Sequence, residues 1–242
     1  MRIVGIDYSY TSPAMAWMDY SNKFCLENVR INFQHKSAER YINFDKNIIG
    51  CSTEVEKEGI DRFIGLARQS VAGFLFDAQR QDIYVALEDY SFGSRNGRSF
   101  TIGENCGILK ANIRECSGTH LRLYSPTLVK RFVKEHNEDL AAKFSDGKLK
   151  KDGTAKIGAL KKEAMHEIFC WKFNIDLSVY FDGMKKYKSP LSDIVDALWI
   201  LYLHWCEWKI RNNDIDGLTD QEVTFIRDGV DGEGFDKRPF EF

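Results

Sequence analysis

Ile83-Tyr84-Val85-Ala86-Leu87-Glu88 is a compact β-rich run; helical spacing follows at Ile102, Cys106, Leu109 and Ile113, and a second apolar run at Leu121 to Tyr124. Strand, helix, strand in that order predicts parallel pairing, with helices covering the sheet. Just upstream, Ile60, Phe63, Ile64, Ala67, Val71, Phe74 and Leu75 keep helical spacing. Further back, Arg2 to Ile6, Ala14 to Met18 and Phe24 to Phe33 are extended candidates with short links, Tyr8 to Pro13 forming the first turn. Such a series predicts an antiparallel meander. The expected fold class is therefore α/β: a mixed five-stranded sheet, meander first and parallel strands after, flanked by helices.

Downstream, Ser125-Pro126 opens a helix to about His136, and residues 137–154 read as a polar, lysine-rich basic loop. A helix from about Ala155 places Ile157, Leu160, Ala164, Ile168 and Trp171 on one face. The last helix begins near Ser189-Pro190, with Ser as cap and Pro in the first helical position, and runs to about Ile210. The expected organisation is one domain over residues 1–210 and a loosely packed acidic tail over 211–242; Gln34 to Lys57 reads as a loop.

Composition sets the outer bounds. The 242 residues are 43% hydrophobic and include 17 Phe, 10 Tyr and 5 Trp, enough apolar surface for a sizeable core, so wholesale disorder is excluded. The formal net charge of -2 hides an uneven distribution. Arg122 to Lys162 carries 11 Lys+Arg against 5 Asp+Glu, and Arg211 to Phe242 carries 4 against 9. A basic stretch in a near-neutral chain points to one polyanion-facing surface. The six cysteines form no C-x-x-C pair and Met1-Arg2-Ile3-Val4 begins no secretory signal, so free thiols in a reducing, cytoplasmic setting are expected. The most apolar run, Ile194 to Trp205, contains Asp196 and His204 and is shorter than the ~20 residues of a membrane span.

Three features place carboxylates where packing alone does not want them. Asp7 ends the strand Ile3-Val4-Gly5-Ile6, and Glu88 ends Ile83 to Leu87 at the carboxyl end of a second strand, where open α/β sheets bind ligands. Asp193 and Asp196 are three apart, on one face in the first turns of a greasy helix. Acids converging from two strands and a helix repel one another unless cations lie between them. Hard divalent ions, Mg²⁺ or Mn²⁺, suit all-oxygen ligands and leave positions for water and a phosphate. Two such ions about 4 Å apart suit phosphodiester hydrolysis, one activating water and the other stabilising the leaving oxygen.

Four segments, Ile3-Val4-Gly5-Ile6-Asp7, Val85-Ala86-Leu87-Glu88, Ile102-Gly103-Glu104-Asn105-Cys106-Gly107-Ile108 and Ser192-Asp193-Ile194-Val195-Asp196-Ala197-Leu198, resemble in order the motifs of the RuvC family of Holliday junction resolvases. The resemblance spans roughly residues 1 to 206 and implies an RNase H-like fold. It implies Asp7, Glu88, Asp193 and Asp196 as metal ligands for two Mg²⁺ or Mn²⁺ ions per active site. It also implies Lys130, in Ser125-Pro126-Thr127-Leu128-Val129-Lys130, and Lys156, after Gly153-Thr154-Ala155, as cations of the reaction. The implied partner is branched DNA, a four-way junction, bound by a homodimer formed through the helix Ile102 to Arg114.

Departures from the family accompany this. No Pro-Gly pair follows Asp7, and the aromatic wedge position falls on Ser91, flanked by Tyr90 and Phe92. Tyr90, Phe92, Arg95 and Arg98, with Lys130, Lys148, Lys150, Lys151 and Lys156, are the expected DNA contacts. The divergence suggests a phage-type member working in a bacterial host's cytoplasm.

Other signals in the chain fit less well. Asn212-x-Asp214-x-Asp216-Gly217 opens like an EF-hand loop, but it starts with Asn and its twelfth position is Val223. No phosphate-binding P-loop or zinc spacing occurs. A sugar-kinase-like or actin-like phosphotransferase also begins with a G-I-D strand but leaves the D-x-x-D helix unexplained. A non-catalytic branched-DNA module has no reason to keep four clustered acids. Within nucleases, RNase H and packaging nucleases are alternatives that only substrate distinguishes.

Overall fold

The computed structural model describes residues 1–9, 11–35, 47–51, 59–75, 82–89, 99–145, 160–181 and 183–230. Six strands, β1 (Arg2–Asp7), β2 (Ala14–Asp19), β3 (Arg30–Gln34), β4 (Ile48–Cys51), β5 (Ile83–Glu88) and β6 (Thr119–Tyr124), form one sheet in the order β4-β3-β2-β1-β5-β6. The β1–β2 and β2–β3 pairs are antiparallel; β1–β5, β5–β6 and β3–β4 are parallel. The expected α/β sheet, meander first and parallel strands after, is the one adopted. Seven α-helices accompany it among the described residues: α1 (Gly59–Leu75), α2 (Ser99–Glu115), α3 (Pro126–His136), α4 (Glu138–Lys143), α5 (Lys162–Phe173), α6 (Leu191–Arg211) and α7 (Asp220–Phe225). None of these is long and apolar enough to cross a membrane.

Period-two alternation splits the core. On β1, Val4 and Ile6 join Leu66, Val71, Phe74, Cys106, Leu109 and Ile113 of α1 and α2, whereas Ile3 joins the cluster built on α3, α5 and α6. Gly5 faces α6 as well, and only a glycine fits. A Cβ there would meet Leu201 N at 2.3 Å and Ala197 O at 2.6 Å, both backbone atoms. The missing side chain lets α6 lie almost in contact with β1. Asp7 is two residues beyond Gly5, on the same face, and α6 begins just before Asp193, so this close approach delivers the acids to one another.

The differences from expectation have local causes. The sheet has six strands because β4 lies inside the segment read as a loop; four residues are too few to display alternation. The third extended candidate is shorter than read: Leu26–Asn28 is a 3₁₀ turn and the strand starts at Arg30. Part of the basic loop is α4, capped by Asn137, whose Oδ1 accepts from Leu140 N at 2.9 Å. The helix expected from Ala155 begins at Lys162, and Trp171, assigned to its buried face, is 55% exposed. Part of the segment read as a loose tail packs against the domain. Thr219 and Glu222 form a reciprocal capping box on α7, and Phe225 and Ile226 are buried in the α6 cluster. Glu222 is itself buried and accepts from Tyr202 Oη at 2.5 Å, Lys172 Nζ at 2.7 Å and His136 Nε2 at 3.0 Å. These bonds hold its carboxyl below the usual range against the opposing effect of burial.

Candidate metal centre

Ile6 and Leu87 are register partners on parallel neighbours, so Asp7 and Glu88 leave the sheet side by side. Both are partly buried at the carboxyl ends of the strands. From α6, Asp193 and Asp196 descend onto them. Oxygens of Asp7, Asp193 and Asp196 lie within 4.8 Å of one another. Glu88 lines the same cleft, of about 350 Å³, together with Tyr8, Ser9, Asp89, Ile102, Cys106, Lys130, Lys161 and Lys162.

Electrostatics identify this as a charged site out of balance. Burial, reinforced by repulsion from Asp196, Glu88 and Asp193 and opposed by Lys162, pushes Asp7 well above the ordinary carboxylate range. Asp196 is pushed up to about 8, chiefly by burial, with Glu88 and Asp193 adding and Lys162 and Lys130 subtracting. Burial also raises Glu88 against the pull of Lys130 and Lys162. The lysine of α5 partly offsets the excess: Lys162 Nζ is 2.6 Å from Asp193 Oδ1 and 3.8 Å from Asp196 Oδ2. Burial works against its charge, but Asp196 and Asp193 outweigh that and hold the ammonium above its ordinary value.

The structure therefore brings together Asp7, Glu88, Asp193, Asp196 and Lys130 of the expected site. Lys130 is on α3, whose start is fixed by Ser125 accepting from Leu128 N at 3.2 Å and by Pro126 in the first turn. Tyr90, Phe92, Arg95, Arg98, Lys148, Lys150, Lys151 and Lys156 lie outside the described residues. Two contributors escaped the sequence reading. In sequence Lys162 is one lysine of the basic stretch, although buried Met165 and Phe169 extend the apolar stripe of α5 that follows it. The sequence places Ser189 as the helix cap; Pro190 occupies that position, and the Ser189 hydroxyl instead donates to Asp193 Oδ2 at 2.5 Å. The EF-hand-like loop is spoken for internally: Asp214 Oδ2 accepts from Lys209 Nζ at 2.7 Å and from Tyr20 Oη at 3.0 Å.

No protein-family model matches the chain, and no curated protein matches it. Among solved structures, Thermus thermophilus RuvC is similar at 19% identity and a TM-score of 0.46, over 88% of this chain and 97% of that one. The same protein in complex with Holliday junction substrate gives 16% and 0.45, over 88% and 96%. The yeast mitochondrial Holliday junction resolvase Ydc2 gives 12% and 0.46, over 84% and 78%. At such identities and scores the likeness carries no argument about activity, which rests on the carboxylates.

Proposed function

We propose that the chain is a structure-specific DNA endonuclease that resolves four-way junctions by divalent-metal-dependent phosphodiester hydrolysis, giving paired nicks. The observation that carries this is the convergence of Asp7, Asp193 and Asp196 within 4.8 Å at the mouth of an open cleft, with Glu88 beside them. The donor set fits Mg²⁺ or Mn²⁺: every ligand atom is a carboxylate oxygen, and Asp7 and Asp196 are raised by burial first and by their acidic neighbours second, both of which a dication offsets. Asp7, Asp193 and Asp196, with Glu88 beside them, would hold the ions. When bound, such ions supply Lewis-acid stabilisation of phosphate oxygens and a water nucleophile at neutral pH.

The remaining work falls to this chain's own groups. Lys130 and Lys162 flank the carboxylates and suit the extra negative charge of a phosphate undergoing attack. With Lys161 and the basic stretch up to it they offer backbone contacts, which favour shape over sequence. A four-way junction's two-fold symmetry suits a homodimer. Gly107 supports α2 as its contact: a Cβ there would meet no described neighbour within 4 Å, which leaves that face of the helix open to another backbone. A phage origin and a host-cytoplasmic location remain part of this proposal.

The test is a substrate panel: a labelled immobile four-way junction, duplex, Y-form and RNA–DNA hybrid, each with the protein and Mg²⁺. Symmetric nicks confined to the junction are expected. Preferential cutting of the hybrid would move the assignment to RNase H, and tight junction binding without cleavage under any divalent ion would leave a binding module.

A further inference from the structure

Asp193 is the most enclosed of the four acids, 3% exposed, and both of its oxygens are already engaged. Oδ1 accepts from Lys162 Nζ at 2.6 Å and from Ser192 Oγ at 3.3 Å; Oδ2 accepts from Ser189 Oγ at 2.5 Å. Ser189 is not part of α6. It belongs to the turn before it, and that turn is fastened to α5: Tyr187 Oη donates to Glu167 Oε1 at 2.6 Å, and Lys186 Nζ lies 2.7 Å from the same oxygen. The Tyr187 ring stands edge-on to His166, centroids 5.2 Å apart. Tyr187 has a left-handed φ of 65°, a conformation that a residue with a Cβ keeps only when surrounding contacts hold it there. α5 thus grips Asp193 twice, directly through Lys162 and indirectly through Glu167, the turn and Ser189.

We propose that Ser189 is a positioning residue of the metal centre, acting through Asp193, and that the 183–189 turn is the brace that holds it. The inference rests on the reading of the carboxylates as a divalent-cation centre. A carboxylate with one oxygen fixed by a lysine and the other by a serine cannot rotate, so its remaining lone pairs keep one direction. Removing the serine frees that rotation. Groups that orient a metal ligand from behind typically change affinity by about 10–100-fold.

The test is Mn²⁺ titration followed by the free-ion paramagnetic signal, for wild type, Ser189→Ala, Ser189→Thr and Tyr187→Phe, with thermal unfolding of each in EDTA. Binding is measured well below every unfolding transition, so that a loss of fold is not read as a loss of affinity. Ser189→Ala is expected to bind at least about tenfold more weakly. Ser189→Thr, which keeps the hydroxyl, is expected near wild type, and Tyr187→Phe between the two. Binding by Ser189→Ala within twofold of wild type, or equal losses in the Ala and Thr variants, would overturn the brace while leaving the metal centre intact. A wild type that takes up no Mn²⁺ would instead overturn the metal centre, and the brace with it.

Discussion

Asp7→Asn is expected to make the metal-free protein more stable while abolishing its response to metal. Carboxylate oxygens up to 4.8 Å apart repel by at least about 3.5 kcal/mol per pair at an effective dielectric near 20. Asp7 faces two such partners, with Lys162 offsetting part of the cost. The chain can escape by protonation, which caps the penalty: neutralising a carboxyl of ordinary pKa about 3.9 at pH 7 costs about 4 kcal/mol. Asn removes the charge without that cost. In EDTA at pH 7 the variant should therefore gain about 2–4 kcal/mol, or roughly 4–16 °C in unfolding midpoint for a chain of this size.

The pH dependence follows from the direction of the shift. An acid whose folded pKa is raised destabilises the fold progressively as pH climbs from its unfolded value through its folded one. The gain from Asn should accordingly shrink toward zero near pH 4, and Mg²⁺ should raise the midpoint of wild type only. Scanning calorimetry across pH 4 to 8, with EDTA or Mg²⁺, reads all of this. A variant no more stable than wild type at pH 7, or a difference that persists unchanged at pH 4, would refute the reasoning.

Other outcomes follow from the same geometry. Gly5→Ala drives a Cβ into the backbone of Leu201 and Ala197, so a loss of about 3 kcal/mol or more is expected by denaturant titration, with weakened Mn²⁺ binding as α6 is displaced from β1. Glu222→Gln leaves Lys172 without its anion and should cost about 3–5 kcal/mol. Glu222's folded pKa is lowered, so its contribution is present above about pH 4.3 and fades as acid approaches the folded value; urea midpoints should fall with acid more steeply in wild type than in the variant. Lys162→Met removes the internal counter-ion, so the unfolding midpoint in EDTA should fall and the increment on adding Mg²⁺ should grow; an unchanged increment would contradict the placement of Lys162 among the acids.

The carboxylates were legible in sequence because each stands where packing offers no reason for it: Asp7 and Glu88 close apolar strands, and Asp193 and Asp196 share a turn of a buried helix. The parallel strands were legible because a helix long enough to show its period separates them. Lys162 and Ser189 were not, since their roles exist only once α5 and the turn before α6 close on Asp193, a tertiary event with no local signature. The burial of Glu222, Phe225 and Ile226 was masked by the acidic composition around them, although Thr219-x-x-Glu222 ahead of Phe225 and Ile226 has the form of a capping box before apolar residues. β4 was lost to brevity, and α4 to the lysines that follow it.

This acidic cluster is expected to cut DNA, and to do so only with a divalent ion. The most direct measurement is the time course of strand cleavage on a single labelled four-way junction, for wild type in Mg²⁺, wild type in EDTA, and Asp196→Asn in Mg²⁺. Paired nicks in the first reaction and intact strands in the other two are the predicted result. Cleavage that survives EDTA, or that Asp196→Asn performs at the wild-type rate, would contradict it.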